Sequence, residues 1–205
     1  MLKKQISKIE NGPSILTIYI GFKKSPKEIG NNVYSKFIFD NSISGINDLH
    51  ENSLADFDKR SFVFVDYSQI DSALAPEGKA LGVICTMDYI SNWNNLNTEE
   101  YRLKKEEVAT IFIDRLNIEL PGIKELIGYV EVATPKTIER YTLNPDGSPY
   151  GFAQTVKQSA RNRINNKSKI PNLFYASAWT SPGGGFSGAI LAGYTCALKV
   201  KKELS

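Results

Sequence analysis

Eight residues near the C-terminal end of the chain, Ser181-Pro-Gly-Gly-Gly-Phe-Ser-Gly188, constrain its fold more than any other stretch. Gly183, Gly185 and Gly188 stand at G-x-G-x-x-G spacing. A strand-like apolar run, Asn172 to Ala178, comes before them, and a helix-like run, Ala189 to Leu198, comes after. In that setting glycines let the backbone turn tightly and leave N–H groups at a helix N-terminus, where the macrodipole favours a negative or electron-rich group. Glycines at this spacing also serve close helix–strand packing with no ligand at all. The flanking strand and helix tip the balance towards a ligand, so residues 183–188 are expected to form an anion-friendly, sterically open site. The seven residues after Leu198 offer no second strand to carry an acidic residue for a ribose hydroxyl. A self-contained dinucleotide-binding unit is therefore not expected at this position.

A chain of 205 residues can hold one large domain or two small ones and bury a real core. Its formal net charge of +3 is small and evenly spread, which argues against a nucleic-acid partner. No apolar run reaches the roughly 18 residues of a membrane span. Met1-Leu-Lys-Lys-Gln-Ile-Ser-Lys8 has basic residues with no apolar stretch behind them, so a signal peptide is not expected. Cys85 and Cys196 sit in apolar surroundings, as reduced core residues of a cytoplasmic protein do. The single histidine, His50, lies near Asp48, Glu51 and Asp56 and reads as an exposed loop residue. One histidine and two distant cysteines leave no metal-ligand, Ser/His/Asp or Cys/His spacing. No metal site is expected, and no residue is assigned as a catalytic acid or base.

Alternation at Leu16, Ile18, Ile20 and Phe22 predicts a half-buried strand, and residues 33–39, 61–65 and 80–85 read the same way. Ala75-Pro-Glu-Gly78 has the composition of a type I turn, in a connection lengthened by residues 69–74. Residues 41–59 are polar and turn-rich, and form the expected long loop. The clearest helix starts after Asn97, with Glu100 completing a capping box. Tyr101, Val108, Ile111, Phe112 and Leu116 share one face of it, and Pro121-Gly122 stops it. Residues 128–132 predict a strand, and Thr134-Pro135 opens a brief helix through Arg140. Asn144-Pro-Asp-Gly147 is a turn, and the basic run 161–169 reads as an exposed connection. The order is α+β: a mixed or antiparallel sheet with helices, closed by one strand–loop–helix unit. The βαβα alternation of a complete Rossmann domain is absent from the sequence.

Four segments occur in a characteristic order: Leu74-Ala-Pro-Glu-Gly-Lys79, Val132-Ala-Thr-Pro-Lys-Thr-Ile-Glu-Arg-Tyr141, Asn144-Pro-Asp-Gly-Ser-Pro-Tyr-Gly151, and Ile170-Pro-Asn-Leu-Phe-Tyr175 with Trp179-Thr-Ser-Pro-Gly-Gly-Gly185. Together they resemble the C-terminal half of the phytoene desaturase, carotenoid isomerase and retinol saturase group of FAD-dependent oxidoreductases. The resemblance runs from Leu74 to the last helix. It implies a substrate-binding portion over residues 1–168, and the closing strand, glycine-rich loop and helix of a Rossmann-type FAD domain over 169–205. In that family an N-terminal G-x-G-x-x-G holds the FAD pyrophosphate, and the chain returns at its end to bring backbone amides beside the flavin. Nothing before Gly183 offers the first loop; residues 14–21 are followed by Phe-Lys-Lys-Ser-Pro. The N-terminal Rossmann half is thus expected to be absent here and to be supplied in cis or in trans. Ser177 stands where the family carries a glycine near the cofactor.

The resemblance implies FAD contacts at Gly183, Gly184, Gly185, Phe186 and Gly188, with amides of residues 184–186 stabilising negative charge on the reduced flavin. Trp179 packs near the cofactor or serves as a core aromatic at the strand end. Tyr141 and Tyr150 lie on the substrate side, with ordinary packing as the other reading, while Glu139, Arg140 and Glu77 read as solvated charges. The implied function is oxidation, reduction or isomerisation of a hydrophobic, carotenoid- or retinoid-like polyene, by a chain incomplete for FAD binding alone. Two other readings stay open: a non-enzymatic fragment or decayed paralogue acting as an interaction or lipid-binding module, and a portion of a flavin amine oxidase. The segments 74–79 and 144–151 argue against the last. A lipid-like substrate is compatible with peripheral membrane contact, and an exposed former domain interface with homo-oligomers formed through an apolar patch.

Overall fold

In the computed structural model, which describes residues 6–70, 73–159 and 162–204, the first alternating run becomes β1 (Ser14–Phe22). Its even-numbered residues Leu16, Ile18, Ile20 and Phe22 are all buried. β2 (Ser35–Ile38), β3 (Phe62–Asp66), β4 (Ala80–Asp88) and β5 (Ile127–Ala133) complete one five-stranded sheet in the order β2-β3-β4-β1-β5. β2–β3, β3–β4 and β1–β5 pair antiparallel. Between β2 and β3 lies a short helix, α1 (Asp48–Leu54). After β4 comes α2 (Thr98–Glu119), whose Asn97 side chain accepts from the N–H groups of Glu99 and Glu100 while Glu100 returns a bond to the Asn97 N–H. Val108, Phe112 and Leu116 of α2 bury against the Leu16–Ile18–Ile20 side of the sheet, with Phe62, Phe64 and Trp93 filling in. The Phe62 and Phe112 rings meet edge-on at 5.2 Å, and Phe22 and Phe64 at 6.4 Å. Gly82 makes the second contact feasible, because a Cβ there would lie 2.6 Å from the Phe22 ring. α3 (Ile123–Leu126), α4 (Pro135–Thr142) and α5 (Gly185–Leu204) follow in the chain.

Packing divides the chain into two units. The sheet unit is Ile15–Lys136; the split unit joins Met1–Ser14 to Thr137–Ser205. In the split unit, Asn11 bridges to Phe152, and the Ser14 hydroxyl donates to the Gly147 carbonyl at 2.6 Å. No helix among the described residues is long and apolar enough to cross a membrane.

Several expectations need correction. Residues 41–59 are not simply a loop: they include α1, on which His50 is exposed, and Asp48 at its first turn accepts from the backbone N–H groups of Ser44 and Gly45 at 2.8 and 2.9 Å, which fastens the preceding turn to the helix. The turn expected over Ala75–Gly78 closes one residue later. The Lys79 N–H donates to the Pro76 carbonyl at 2.9 Å, and Gly78 takes the third position with φ +72°, where a left-handed backbone favours glycine. Residues 172–178 form no strand; Lys167–Phe174 and Ile164–Thr180 are isolated bridges, and Asn172 itself has φ +62°. The final segment is therefore loop and helix, and α5 has no strand leading into it. The basic run is not an exposed connection either, since Arg163, Ile164 and Asn166 are buried. Expectations that fall on Met1–Gln5, Asp71, Ser72 and Arg161 lie outside the described residues.

Candidate cofactor site

The glycine turn opens α5 with three consecutive left-handed residues: φ is +66° at Gly183, +78° at Gly184 and +58° at Gly185. Its course is fixed from several sides within the split unit. The Gly184 N–H donates to the Ala178 carbonyl at 3.2 Å. The Gly183 carbonyl lies so close beneath Gly188 that a side chain at 188 would collide with it. A Cβ at Gly183 would stand 2.5 Å from both Arg163 Nη1 and the Thr180 carbonyl. The G-x-G-x-x-G spacing here is thus the spacing of a loop folded back on the first turn of its own helix. The Gln154 amide lies against Gly184, and the Tyr150 ring edge comes within 4.0 Å of where Gly185 would carry a Cβ.

Side chains hold the lead-in that a strand was expected to supply. The Asn166 amide group faces the carbonyls of Tyr175 (3.1 Å) and Ala192 (3.3 Å), and the Tyr175 N–H returns a bond to the Asn166 carbonyl at 2.7 Å. The Ser181 N–H donates to Ile164 at 2.9 Å. Arg163 is only 4% exposed and donates to the carbonyls of Ala178 (2.8 Å) and Phe152 (2.5 Å). Its Nε is buried and makes no hydrogen bond. Burial pulls the guanidinium's pKa down, and no ion pair to a carboxylate offsets it among the described residues. The first N–H groups of α5 have no intrahelical partner, and successive N–H groups in such a turn form a concave nest for anions. Chemically, the turn can receive an anionic or electron-rich group.

Each sequence-predicted residue has a definite place. Gly183, Gly184, Gly185 and Gly188 form the turn, and Tyr150 stands beside it. Trp179 packs edge-on to Phe152 at 4.8 Å and donates its indole N–H to Asn144 Oδ1 at 3.2 Å. With Tyr175 and Ile164 these rings wall an apolar cavity of about 260 Å³. Phe186 is exposed on α5. Tyr141 is 77% exposed on α4, its ring 5.5 Å from the Arg140 guanidinium. Ser177 accepts the Trp179 N–H on its hydroxyl at 3.2 Å, a local turn bond. Arg163, Gln154 and Asn166 were not legible as site residues. The available signal was indirect: a glycine-rich turn has carbonyls with no ladder to pair with, so donors must come from elsewhere.

Each unit carries an exposed apolar surface of its own. On the sheet face opposite α2, Phe37, Val63 and Cys85 stand in cross-strand register, and the Cys85 thiol bonds to Thr17. Phe37 is 68% exposed, its ring stacks on Phe39, and Met87 is exposed further along β4. Burial pushes the Cys85 thiol pKa up. On α5, Phe186, Ile190, Tyr194 and Leu198 recur every fourth residue and are all exposed, while only Ala192 and Cys196 are buried.

Residues 4–200 match the family described as flavin containing amine oxidoreductase. The chain belongs to this family of flavoprotein oxidoreductases, and FAD is the cofactor that membership implies. It is 34% identical over 136 residues to prolycopene isomerase 2 of an Oncidium hybrid cultivar, covering 66% of this chain and 23% of that protein. With the all-trans-retinol 13,14-reductase of Danio rerio it shares 26% identity over 211 residues, 95% of this chain and 35% of that one. With the neurosporene-forming phytoene desaturase of Cereibacter sphaeroides it shares 30% over 121 residues, 58% of this chain and 23% of that one. The chain thus spans about a quarter to a third of the length of these relatives.

Proposed function

We propose that this chain supplies two parts of an FAD-dependent oxidoreductase or isomerase: the substrate-binding portion in residues 1–168 and the closing FAD segment in residues 169–205. The turn at Gly183–Gly185, three left-handed glycines against a buried cation at the head of a long helix, carries the reading. When bound, FAD supplies the electron chemistry. The backbone amides of Gly185 and Phe186 would hold its ring; the Gly184 amide is taken by the Ala178 carbonyl, and the missing side chains at Gly183 and Gly188 make room for Arg163 and the turn's own carbonyl. Trp179 closes the apolar side, and Tyr150 marks the substrate side. The substrate is a hydrophobic polyene of carotenoid or retinoid type, as the names of the relatives suggest. The face carrying Phe37, Cys85 and Met87 is suited to it, because apolar area removed from water stabilises binding by roughly 25 cal/mol per Å².

The pyrophosphate half of the FAD site belongs to an N-terminal Rossmann portion, in cis or in trans, and the exposed stripe Phe186, Ile190, Tyr194 and Leu198 is the surface that portion covers. We place the protein in the cytoplasm, with membrane contact limited to the periphery. The test is FAD fluorescence titration of the purified chain, with and without a separately expressed N-terminal half. Binding only with both halves is expected. Tight binding by the chain alone would refute the division of the site, and binding in neither case would favour a non-enzymatic module.

A further inference from the structure

We propose that Arg163 is the positioning residue of the glycine turn and the fixed positive charge of the flavin site; the second half of this inference rests on the FAD reading above. The planar guanidinium reaches two carbonyls at once, Ala178 at 2.8 Å and Phe152 at 2.5 Å. The Ala178 carbonyl also accepts the Gly184 N–H, and Nη1 occupies the space that a side chain at Gly183 would need. One cation thereby ties three separate segments to the head of α5. A clamp on carbonyls needs no charge: Asn166 holds Tyr175 and Ala192 with a neutral amide. Burying a full cation on neutral carbonyls is costly unless an opposite charge arrives. Arg163 has an orphaned Nε and no carboxylate partner among the described residues. Its charge stands against the turn that opens α5, where the first helical N–H groups can receive an electron-rich group, and it is suited to favour the anionic, reduced form of a bound flavin over the neutral, oxidised form.

The experiment uses the full 205-residue chain, with FAD as the probe and the N-terminal half added where binding needs it. Arg163→Lys and Arg163→Met are compared with wild type by amide hydrogen exchange over residues 178–188 and by the midpoint potential of the bound flavin. Arg163→Met should speed exchange in that segment about tenfold, with the sheet unit unaffected. It should also cut the preference for reduced flavin about tenfold. Arg163→Lys should speed exchange yet leave the potential close to wild type, because an ammonium keeps the charge and loses the fork. A purely structural role does not produce that split. Arg163→Lys keeps the buried charge and loses the fork, so faster exchange there supports positioning even if Arg163→Met fails to fold. Unchanged exchange in Arg163→Met, or in Arg163→Lys where the former does not fold, would overturn the positioning role. An equal loss of potential in the lysine and methionine variants would overturn the charge role. If wild type binds no FAD in either state, the FAD reading and the charge role fail together, and exchange alone decides positioning.

Discussion

Asp88 closes β4 at the centre of the sheet unit, and it carries the sharpest stability prediction. It is 0% exposed and accepts from Arg60 Nη1 at 2.9 Å, Asn92 Nδ2 at 2.7 Å and the Trp93 indole N–H at 2.6 Å. Arg60 is 3% exposed, bonds the carbonyls of Ala55 and Met87, and lies 4.4 Å from the Phe57 ring centroid. Asp88→Ala removes the carboxylate paired with Arg60, leaving the buried cation on the neutral carbonyls of Ala55 and Met87 alone and the buried Trp93 indole N–H without its acceptor. Breaking a buried pair from one side costs about 3–5 kcal/mol, and a stranded neutral donor about 1–3 kcal/mol more. Asn92 is half-buried and turns to water. The sum, roughly 4–8 kcal/mol, is comparable to the about 5–15 kcal/mol that holds a whole domain folded. Removing both charges, Arg60→Met with Asp88→Leu, leaves no buried ion and should cost at least about 2 kcal/mol less than the sum of the two single variants. Urea denaturation in a Trp179→Phe background, where Trp93 is the sole indole, reads both quantities. Additivity within about 0.5 kcal/mol, or a cost below about 1.5 kcal/mol for Asp88→Ala, would refute the reasoning.

Two further predictions concern the surfaces. Replacing Phe37 and Met87 by serine removes exposed apolar groups from the open sheet face, so stability should change by less than about 1 kcal/mol. Under the proposed function, retinoid affinity, followed by quenching of its fluorescence with the N-terminal half added where binding needs it, should fall severalfold; unchanged affinity would remove this face from the proposed substrate path. A hydrogen bond from Lys105 at 2.6 Å is the largest cause that holds the Glu131 carboxyl below its ordinary 4.5. A depressed folded pKa means that this contribution is present above the ordinary value and is lost as pH falls through the folded one. Glu131→Gln should therefore lose that contribution at neutral pH, a small loss for an exposed pair, and flatten the acid side of the stability–pH curve below about 4.5, so that the two proteins converge in acid in thermal melts across pH.

How much was legible depended on whether structure was local. The capping box at Asn97 and Glu100 and the alternation at Leu16–Phe22 are decided by neighbours in sequence, and both appear where expected. The lead-in to α5 was not local. Residues 172–178 have strand-like composition, yet Asn172 is left-handed and the backbone partners there are the Asn166 side chain and two isolated bridges. Polarity misled in the opposite direction at Arg163 and Asn166. A basic run is usually solvated, but these two are drawn inside by carbonyls of an irregular segment that has no strand ladder to pair them. That demand is visible only once the turn exists.

The split unit has a consequence for when each part of the molecule can form. Gln158 exchanges hydrogen bonds with Glu10 across a separation of 148 residues, and Gly12 donates to Gly151. The whole sheet unit is encoded between these partners. During synthesis, its strands and α2 are complete before the second half of the split unit has been made, so they can pair co-translationally. The N-terminal stretch must wait for partners made far later, and the closure entropy of so long a separation is met only then. The glycine turn is consequently among the last features of the chain to take shape. A slow or faulty sheet unit would delay the cofactor site without touching any residue in it.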